Sequence, residues 1–138
     1  MSIAMFEKKQ IYQIRARRFD NGETVVIQRQ EDSIRSLMPS GVEGDGSWWI
    51  APPLFDLQVN GFAGVDFQDP ELTQADLRRA IRGLTSHGCG KFFPTLVTNR
   101  WELILEKLGR IRRWRDTDPE FQLSIAGYHI EEIRRAHV

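Results

Sequence analysis

The hydrophobic pattern of this chain changes period at Pro52-Pro53, and that change constrains the fold more than any other feature of the sequence. Before the two prolines, short segments rich in β-forming residues are separated by turns. After them, segments with the period of a strand alternate with segments with the period of a helix. We therefore predict a β-rich N-terminal domain over residues 1–52 and an α/β segment over residues 53–138.

The first domain should contain a β-hairpin and a third strand. Residues 11–17 and 24–30 are predicted as the two strands of the hairpin, and Asp20-Asn21-Gly22 between them tolerates the positive φ of a tight turn. Residues 34–38 are predicted as the third strand. A glycine-rich connection over residues 41–47 then leads to Trp48-Trp49-Ile50.

The second segment should have the element order β-α-β-α-β. The predicted strands cover residues 54–60, 92–98 and 123–131, and the predicted helices cover residues 73–87 and 99–114. Because the helices are long enough for crossover connections, we expect parallel strands with helices on their outer face. An open sheet and a barrel both fit this order.

The helix boundaries follow from capping residues. Thr73 and Asp76 form the pattern of a capping box, and Gly88 should end the first helix. We expect Asn99 to cap the second helix, and Pro94 to make the strand before it irregular, since proline cannot donate to a ladder. The apolar face of the first helix is predicted to be Leu77, Ala80, Ile81 and Leu84, and that of the second Trp101, Ile104, Leu105, Leu108 and Ile111.

Composition and charge argue against several classes of function. The 19 basic and 19 acidic residues give no net charge, so we expect no nucleic-acid partner and no binding to an anionic membrane. The basic run at residues 110–115 is typical of the solvated side of an amphipathic helix.

Cys89, the only cysteine, is interpreted as a bystander thiol. Because the sequence shows no signal-peptide pattern, we expect a cytoplasmic protein.

Alternation along the predicted strand at residues 54–60 separates two sets of side chains. The apolar set, which should pack against helices, is Phe55, Leu57 and Val59, and the polar set is Asp56, Gln58 and Asn60. Polar side chains facing the interior of a fold need hydrogen-bond partners, water or a ligand. A structural hydrogen-bond network and a functional site are both compatible with this pattern.

His129 and Glu131 lie two residues apart near the end of the last predicted strand. Imidazole and carboxylate groups are good zinc ligands, and the carboxyl ends of strands are where barrel enzymes assemble their sites. A single His-x-Glu is weak evidence for a metal site, and taken alone it is more typical of a surface or salt-bridged pair. The residues by themselves leave both interpretations open.

Three longer strings resemble one family in the same order. They are APPLFDLQVNGFAGVDF at residues 51–67, FPTLVT at residues 93–98 and GYHIE at residues 127–131. They resemble the first barrel strand and its loop, the second strand, and the start of the His-x-Glu-Gly-Pro motif of the N-acetylglucosamine-6-phosphate deacetylases. Together with the β-rich opening, the resemblance covers about residues 11–131.

The resemblance implies a (β/α)8 amidohydrolase barrel preceded by a small β-rich domain. It implies a divalent metal, zinc or a similar ion, that activates water to hydrolyse N-acetylglucosamine 6-phosphate to glucosamine 6-phosphate and acetate. Glu131 matches the metal-ligating glutamate of the family. Gln58 and Asn60 match positions where many amidohydrolases carry a His-x-His metal pair, and His129 is the strand-end partner of Glu131.

The chain also departs from the family pattern. Glu132-Ile133-Arg134 stands where the family has Gly-Pro-Phe, and residues 53–138 are far fewer than the roughly 250 of a complete barrel. The later metal-binding histidines and the catalytic aspartate have no counterpart, because His137 comes too early. We therefore expect about three strands and two helices of a partial barrel, one metal ligand, no catalytic residue, weak metal binding and no activity from this chain alone.

Two other functions remain open at this point. A non-catalytic α/β module could bind a partner, or itself as a homo-oligomer, through unpaired strand edges and apolar faces. An amidohydrolase of the same superfamily could act on a different substrate.

Overall fold

A computed structural model of the chain describes residues 10–42 and 48–132. Contacts divide the chain between Pro52 and Pro53 into two compact units. Most of the predicted glycine-rich connection, at residues 43–47, lies outside the described residues. So do Ile133, Arg134 and His137, on which part of the departure from the family pattern depends.

The described residues of the first unit form a four-stranded sheet in the order β3-β2-β1-β4. Its strands are β1 (Ile11–Arg18), β2 (Thr24–Gln30), β3 (Ser33–Pro39) and β4 (Trp49–Ile50). β1, β2 and β3 pair in antiparallel fashion, which confirms the predicted hairpin and third strand, and β4 pairs with β1 in parallel. Gly22 has a φ of 74° in the hairpin turn, as its position between the strands predicts.

The second unit contains a three-stranded parallel sheet in the order β5-β8-β9. Its elements are β5 (Leu54–Val59), β6 (Gly61–Phe62), β7 (Val65–Asp66), α1 (Gln74–Ser86), β8 (Cys89–Val97), α2 (Trp101–Thr117), α3 (Pro119–Ser124) and β9 (His129–Glu131). β6 and β7 form a short antiparallel hairpin after β5. The parallel pairing of the three main strands confirms the crossover prediction.

Helix α1 agrees closely with its sequence pattern. Thr73 and Asp76 form the predicted capping box, and Gly88 follows the helix with a φ of 86°. The four predicted apolar residues of its inner face are all buried. They join a core that also includes Phe67, Phe92 and Phe121.

The central strand β8 is irregular at the predicted position. Its pairing with β5 changes register between the pair Asp56–Phe92 and the pair Val59–Pro94. Pro94 is nevertheless fully buried in this central strand, where proline is uncommon.

Several predicted boundaries are wrong. β8 begins at Cys89 rather than at residue 92, and α2 extends to Thr117 rather than to residue 114. The last predicted strand, β9, begins at His129 rather than at residue 123. The residues before it form helix α3 instead, because the side chain of Asp118 accepts a hydrogen bond from the N–H of Glu120 as an N-cap, and Pro119 suits the first helical position. The described part of this segment, residues 53–132, therefore has three helices rather than two. Asn99 is not the N-cap of α2. Arg100 occupies that position, and its N–H donates to the side-chain oxygen of Asn99 at 2.8 Å.

Two predicted apolar faces are only partly buried. On β5, Val59 is buried, whereas Phe55 and Leu57 are 50% and 60% exposed. On α2, Ile104 and Ile111 are buried and Leu108 packs against the core, but Trp101 and Leu105 are exposed. Residue periodicity alone therefore did not predict how much of each expected face is covered.

Among the described residues, no helix has the length and apolar character needed to cross a bilayer.

An ionic network joins α1 to α3. The guanidinium of Arg78 contacts Asp118, donates to Glu120 at 3.2 Å and lies 5.0 Å from the centre of the Phe121 ring. Partial burial works to raise the pKa of Asp118, but hydrogen bonds from the N–H of Glu120 and from Arg78 outweigh it. The pKa of Asp118 therefore lies below its ordinary value.

We predict that Asp118→Asn lowers the stability of the second unit at neutral pH. Asparagine is as good an N-cap as aspartate, so the substitution removes mainly the charge that faces Arg78. The pKa of Asp118 is lower in the folded protein than in the unfolded chain, where it is about 3.9. The negative charge therefore stabilises the fold above the unfolded-state pKa, and this contribution is lost as the pH falls through the pKa of the folded state. The free energy of unfolding in urea should thus differ between the unsubstituted protein and Asp118→Asn by a constant amount above about pH 5, and this difference should vanish in acid.

The matched control is Asp116→Asn, which removes an exposed carboxylate in contact with Arg112 and Arg115 and should change stability little. A stability difference for Asp118→Asn that persists unchanged in strong acid would contradict the assignment.

Candidate functional site

The carboxyl ends of β5, β8 and β9 meet at one edge of the parallel sheet. Immediately after β5, the side-chain amide of Asn60 donates to Oε2 of Glu131 at 3.4 Å, although 71 residues separate the two. The N–H and the hydroxyl of Thr98, just after β8, both donate to the carbonyl of Glu131, at 2.9 and 3.0 Å. We call Asn60, Thr95, Thr98, His129 and Glu131 the sheet-end site.

His129 belongs to this site through β8. Its Nδ1 lies 3.3 Å from the hydroxyl oxygen of Thr95, the residue that pairs with it across the ladder. His129 and Glu131 are both half-buried, whereas Ile130 between them is 42% exposed. The predicted alternation of this strand therefore holds.

Gln58 is less closely associated with the site. Its side chain is exposed, and its N–H donates to the carboxylate of Asp56 at 3.0 Å. Among the hydrogen bonds of the described residues, Asn60 contacts Glu131 and Thr95 contacts His129, while Gln58 joins neither pair. Of the two positions that match a His-x-His pair, only Asn60 thus contacts the carboxylate.

The loop after β5 borders the site. The β6–β7 hairpin turns at Ala63 and Gly64, whose φ values are 52° and 74°, and the N–H of Phe67 closes the loop by donating to the carbonyl of Asn60 at 2.9 Å. A shallow depression of about 380 Å³ is lined by Asn60, Gly61, Phe62, Gly64, Val65 and Asp66. The loop thus adjoins the sheet-end site through Asn60, which lines the depression and also contacts Glu131.

Gln68 was not predicted as a site residue. Its side-chain nitrogen donates to the carbonyl of Thr95 at 2.8 Å, and its side-chain oxygen accepts from the N–H of Val97 at 3.2 Å. Gln68 lies one residue beyond the string that carries the family resemblance, and no periodicity or charge pattern distinguishes it. Only the three-dimensional structure shows that it reaches the end of β8.

The donor groups at the sheet edge fit part of a divalent metal site. Glu131 offers a carboxylate, and the amide of Asn60 lies beside it. Within the described residues, however, no three histidine, cysteine, aspartate or glutamate side chains are grouped so that they could hold a metal ion. A catalytic zinc is usually held by three protein ligands, so these residues do not form a complete site.

Comparison with known proteins finds similarity to proteins of one name. No protein-family model matches the chain. The chain is 39% identical over 67 residues to N-acetylglucosamine-6-phosphate deacetylase of Bos taurus, and 43% identical over 51 residues to that of Homo sapiens. The chain resembles the N-acetylglucosamine-6-phosphate deacetylases. The matched segments cover 48% and 36% of this chain but only 16% and 12% of those relatives.

Solved structures with the same name share the fold. N-acetylglucosamine-6-phosphate deacetylase from Thermotoga maritima superposes with a TM-score of 0.71 and 21% identity, covering 93% of this chain and 33% of that one. The corresponding enzyme from Pasteurella multocida gives a TM-score of 0.64 at 18% identity, covering 88% and 34%. The chain therefore spans about a third of each deacetylase structure, in its N-terminal portion.

We predict that Gly61→Ala destabilises the second unit by about 1–3 kcal/mol, because its methyl carbon would lie 2.1 Å from the carbonyl oxygen of Val65 and force the hairpin apart. The matched control is Gly109→Ala in the middle of α2, where the nearest atom, in Arg113, is 3.5 Å away. That substitution should stabilise the protein by up to about 1 kcal/mol, because alanine favours helix. Urea unfolding of the two variants measures both effects, and equal stabilities would refute the close approach at Gly61.

Proposed function

We propose that this chain forms the first part of a (β/α)8 barrel that hydrolyses the N-acetyl group of N-acetylglucosamine 6-phosphate, giving glucosamine 6-phosphate and acetate. Residues 1–52 would be its small β-rich domain and residues 53–138 its first barrel elements. The observation that carries the proposal is the contact between Asn60 and Glu131 at the carboxyl edge of a parallel sheet. In barrel enzymes this edge holds the active site.

In this proposal, Glu131 is a metal ligand and Gln58, Asn60 and His129 lie near the ion. A bound divalent metal such as zinc would lower the pKa of a water molecule to about 7 and so supply hydroxide at neutral pH. The amide of Asn60 donates to the Glu131 carboxylate and restricts its orientation. Thr98 fixes the backbone of Glu131 through two hydrogen bonds, which keeps the carboxylate at the sheet edge.

Among the described residues, no three potential ligands are grouped so that they could hold a metal ion. By the family resemblance, the remaining ligands and the acidic group that protonates the leaving amine would come from later barrel strands. A polypeptide of these 138 residues should therefore bind zinc weakly and be inactive. We also propose a cytoplasmic location and no nucleic-acid partner. The balance of 19 basic and 19 acidic residues supports the latter.

The function is tested by fusing residues 1–131 to the remaining barrel of the bovine relative and measuring acetate release from N-acetylglucosamine 6-phosphate. We expect the fusion protein to be active and the 138-residue chain to release no acetate. Glu131→Gln in the fusion keeps the size of the side chain but removes its charge, so zinc content and turnover should fall together. Gln58→Ala should have a smaller effect, because Gln58 does not contact the carboxylate.

The control for the fusion is Glu102→Gln, which neutralises an exposed carboxylate at the start of α2 and should leave both zinc content and rate unchanged. Acetate release by the 138-residue chain would refute the incomplete site. A fusion protein with Glu131→Gln that keeps the normal zinc content and the normal rate of acetate release would refute the assignment of Glu131 as a metal ligand.

A second candidate function is favoured by the exposed edge of the sheet. β5 is an edge strand in the described part of the second unit. Leu54, Phe55 and Leu57 on this strand are 66%, 50% and 60% exposed. An apolar edge strand of this kind favours pairing with another chain, which supports a self-associating interaction module.

We predict that light scattering of the purified 138-residue chain shows oligomers whose proportion rises with concentration. Leu57→Lys should shift the chain towards monomer, because a charge on an edge strand opposes strand pairing. The matched control is Leu123→Lys in α3, where the leucine is 73% exposed and away from the strand edge. A monomer at all concentrations, or equal effects of the two lysines, would contradict association through β5.

A further inference from the structure

Gln68 continues the β5–β8 ladder with a side chain. The last residue of β5 that pairs with β8 is Val59, opposite Pro94. Beyond that pair, the side-chain amide of Gln68 donates to the carbonyl of Thr95 and accepts from the N–H of Val97. The half-buried glutamine thereby satisfies the next two backbone groups of the strand.

The direction of these groups follows from the alternation of the β8 backbone. Phe92 and Thr98 direct their hydrogen bonds towards the β9 side, to the N–H of Ala126 and the carbonyl of Glu131. Because successive residues of a strand direct their backbone groups to opposite sides, Thr95 and Val97 face the β5 side. A primary amide has a donor and an acceptor, as a backbone peptide unit has. The side chain of Gln68 therefore substitutes for the peptide that β5 would have provided if it were longer.

Gln68 is connected to the sheet-end site in two ways. Its neighbour Phe67 is fully buried and donates its N–H to the carbonyl of Asn60, whose side chain contacts Glu131. Thr95, whose carbonyl accepts from Gln68, places its hydroxyl 3.3 Å from Nδ1 of His129. Anchoring Gln68 thus fixes the loop that carries Asn60 and the β8 residue that faces His129.

The backbone of the same segment is held from the other side by α2. Lys107 donates to the carbonyl of Gln68 at 2.6 Å, and Arg110 donates to the carbonyl of Asp69 at 3.0 Å. Both contacts are to the main chain, so they fix the path of the segment without specifying a side chain at position 68. The hydrogen bonds to the end of β8, in contrast, are made by the glutamine amide.

We propose that Gln68 is a positioning residue of the sheet-end site, which holds Asn60 against Glu131 by anchoring the loop after β5 to the end of β8. The inference rests on the proposed function in taking this edge of the sheet as the active site. Gln68 acts through Phe67 and Asn60 and does not itself contact Glu131.

The test uses NMR of the ¹⁵N-labelled full chain with Gln68→Met, which keeps the length but removes both hydrogen bonds, and Gln68→Glu, which removes the donor. We expect hydrogen exchange at the N–H groups of Val97 and Phe67 to accelerate about tenfold in Gln68→Met. The side-chain amide signals of Asn60 should shift in both variants. The matched control is Gln122→Met, which removes an exposed glutamine that also donates to a carbonyl, that of Asp116.

Exchange at Leu77 and Ile81, in the buried face of α1, reports on global stability in the same samples. Shifted Asn60 signals with unchanged exchange in α1 would support positioning. Unshifted Asn60 signals, or equal acceleration in α1 and at Val97, would overturn it in favour of a purely structural role. The NMR test measures no enzymatic activity. A negative NMR result would therefore overturn the positioning role of Gln68, whereas a fusion protein that releases no acetate would refute the proposed function.

Discussion

The pairing of β8 with β5 on one side and β9 on the other determines where every polar group of the sheet-end site lies. Parallel strands bring their carboxyl ends to the same edge. Asn60 after β5, Thr98 after β8 and Glu131 in β9 therefore meet there, although they are far apart in sequence. Antiparallel pairing of any two of these strands would have placed their carboxyl ends at opposite edges.

The core beneath the sheet depends on the same arrangement. Phe92 of β8 stacks with Phe67 at a centroid distance of 6.1 Å, and both are buried with Phe121 of α3. Phe67 also donates its backbone N–H to Asn60. One residue thus contributes both apolar burial and a hydrogen bond to the loop at the site, so the stability of the core and the geometry of the site are coupled.

Local sequence patterns predicted the parts of this fold that depend on local interactions. The capping box of Thr73 and Asp76 and the buried face of α1 follow from helical spacing. The shared face of His129 and Glu131 follows from strand alternation. Helix α3 differs from the predicted strand because the apolar run containing Leu123 and Ile125 is typical of a strand. The residues that start the helix, Asp118 as N-cap and Pro119 after it, precede that run.

Other features depended on contacts between distant segments. Gln68 reaches residues 27 and 29 positions away, and nothing in its local sequence indicates that. The exposure of Phe55 and Leu57 likewise depends on which elements cover β5, whereas alternation predicts only that they share a side. The three strings that carry the family resemblance fall on or next to β5, β8 and β9, whose carboxyl ends meet at one edge of the sheet.

The buried proline of β8 has a consequence for folding during synthesis. Ribosomes add about 5–20 residues per second, so β5, α1 and β8 emerge seconds before β9. Throughout that interval the side of β8 that will receive β9 is an open edge, and open edges recruit foreign strands. By the alternation of β8, Pro94 faces this side, where it offers no N–H to an intruding strand. We therefore expect Pro94, a residue poorly suited to the finished sheet, to disfavour pairing of this open edge with a foreign strand.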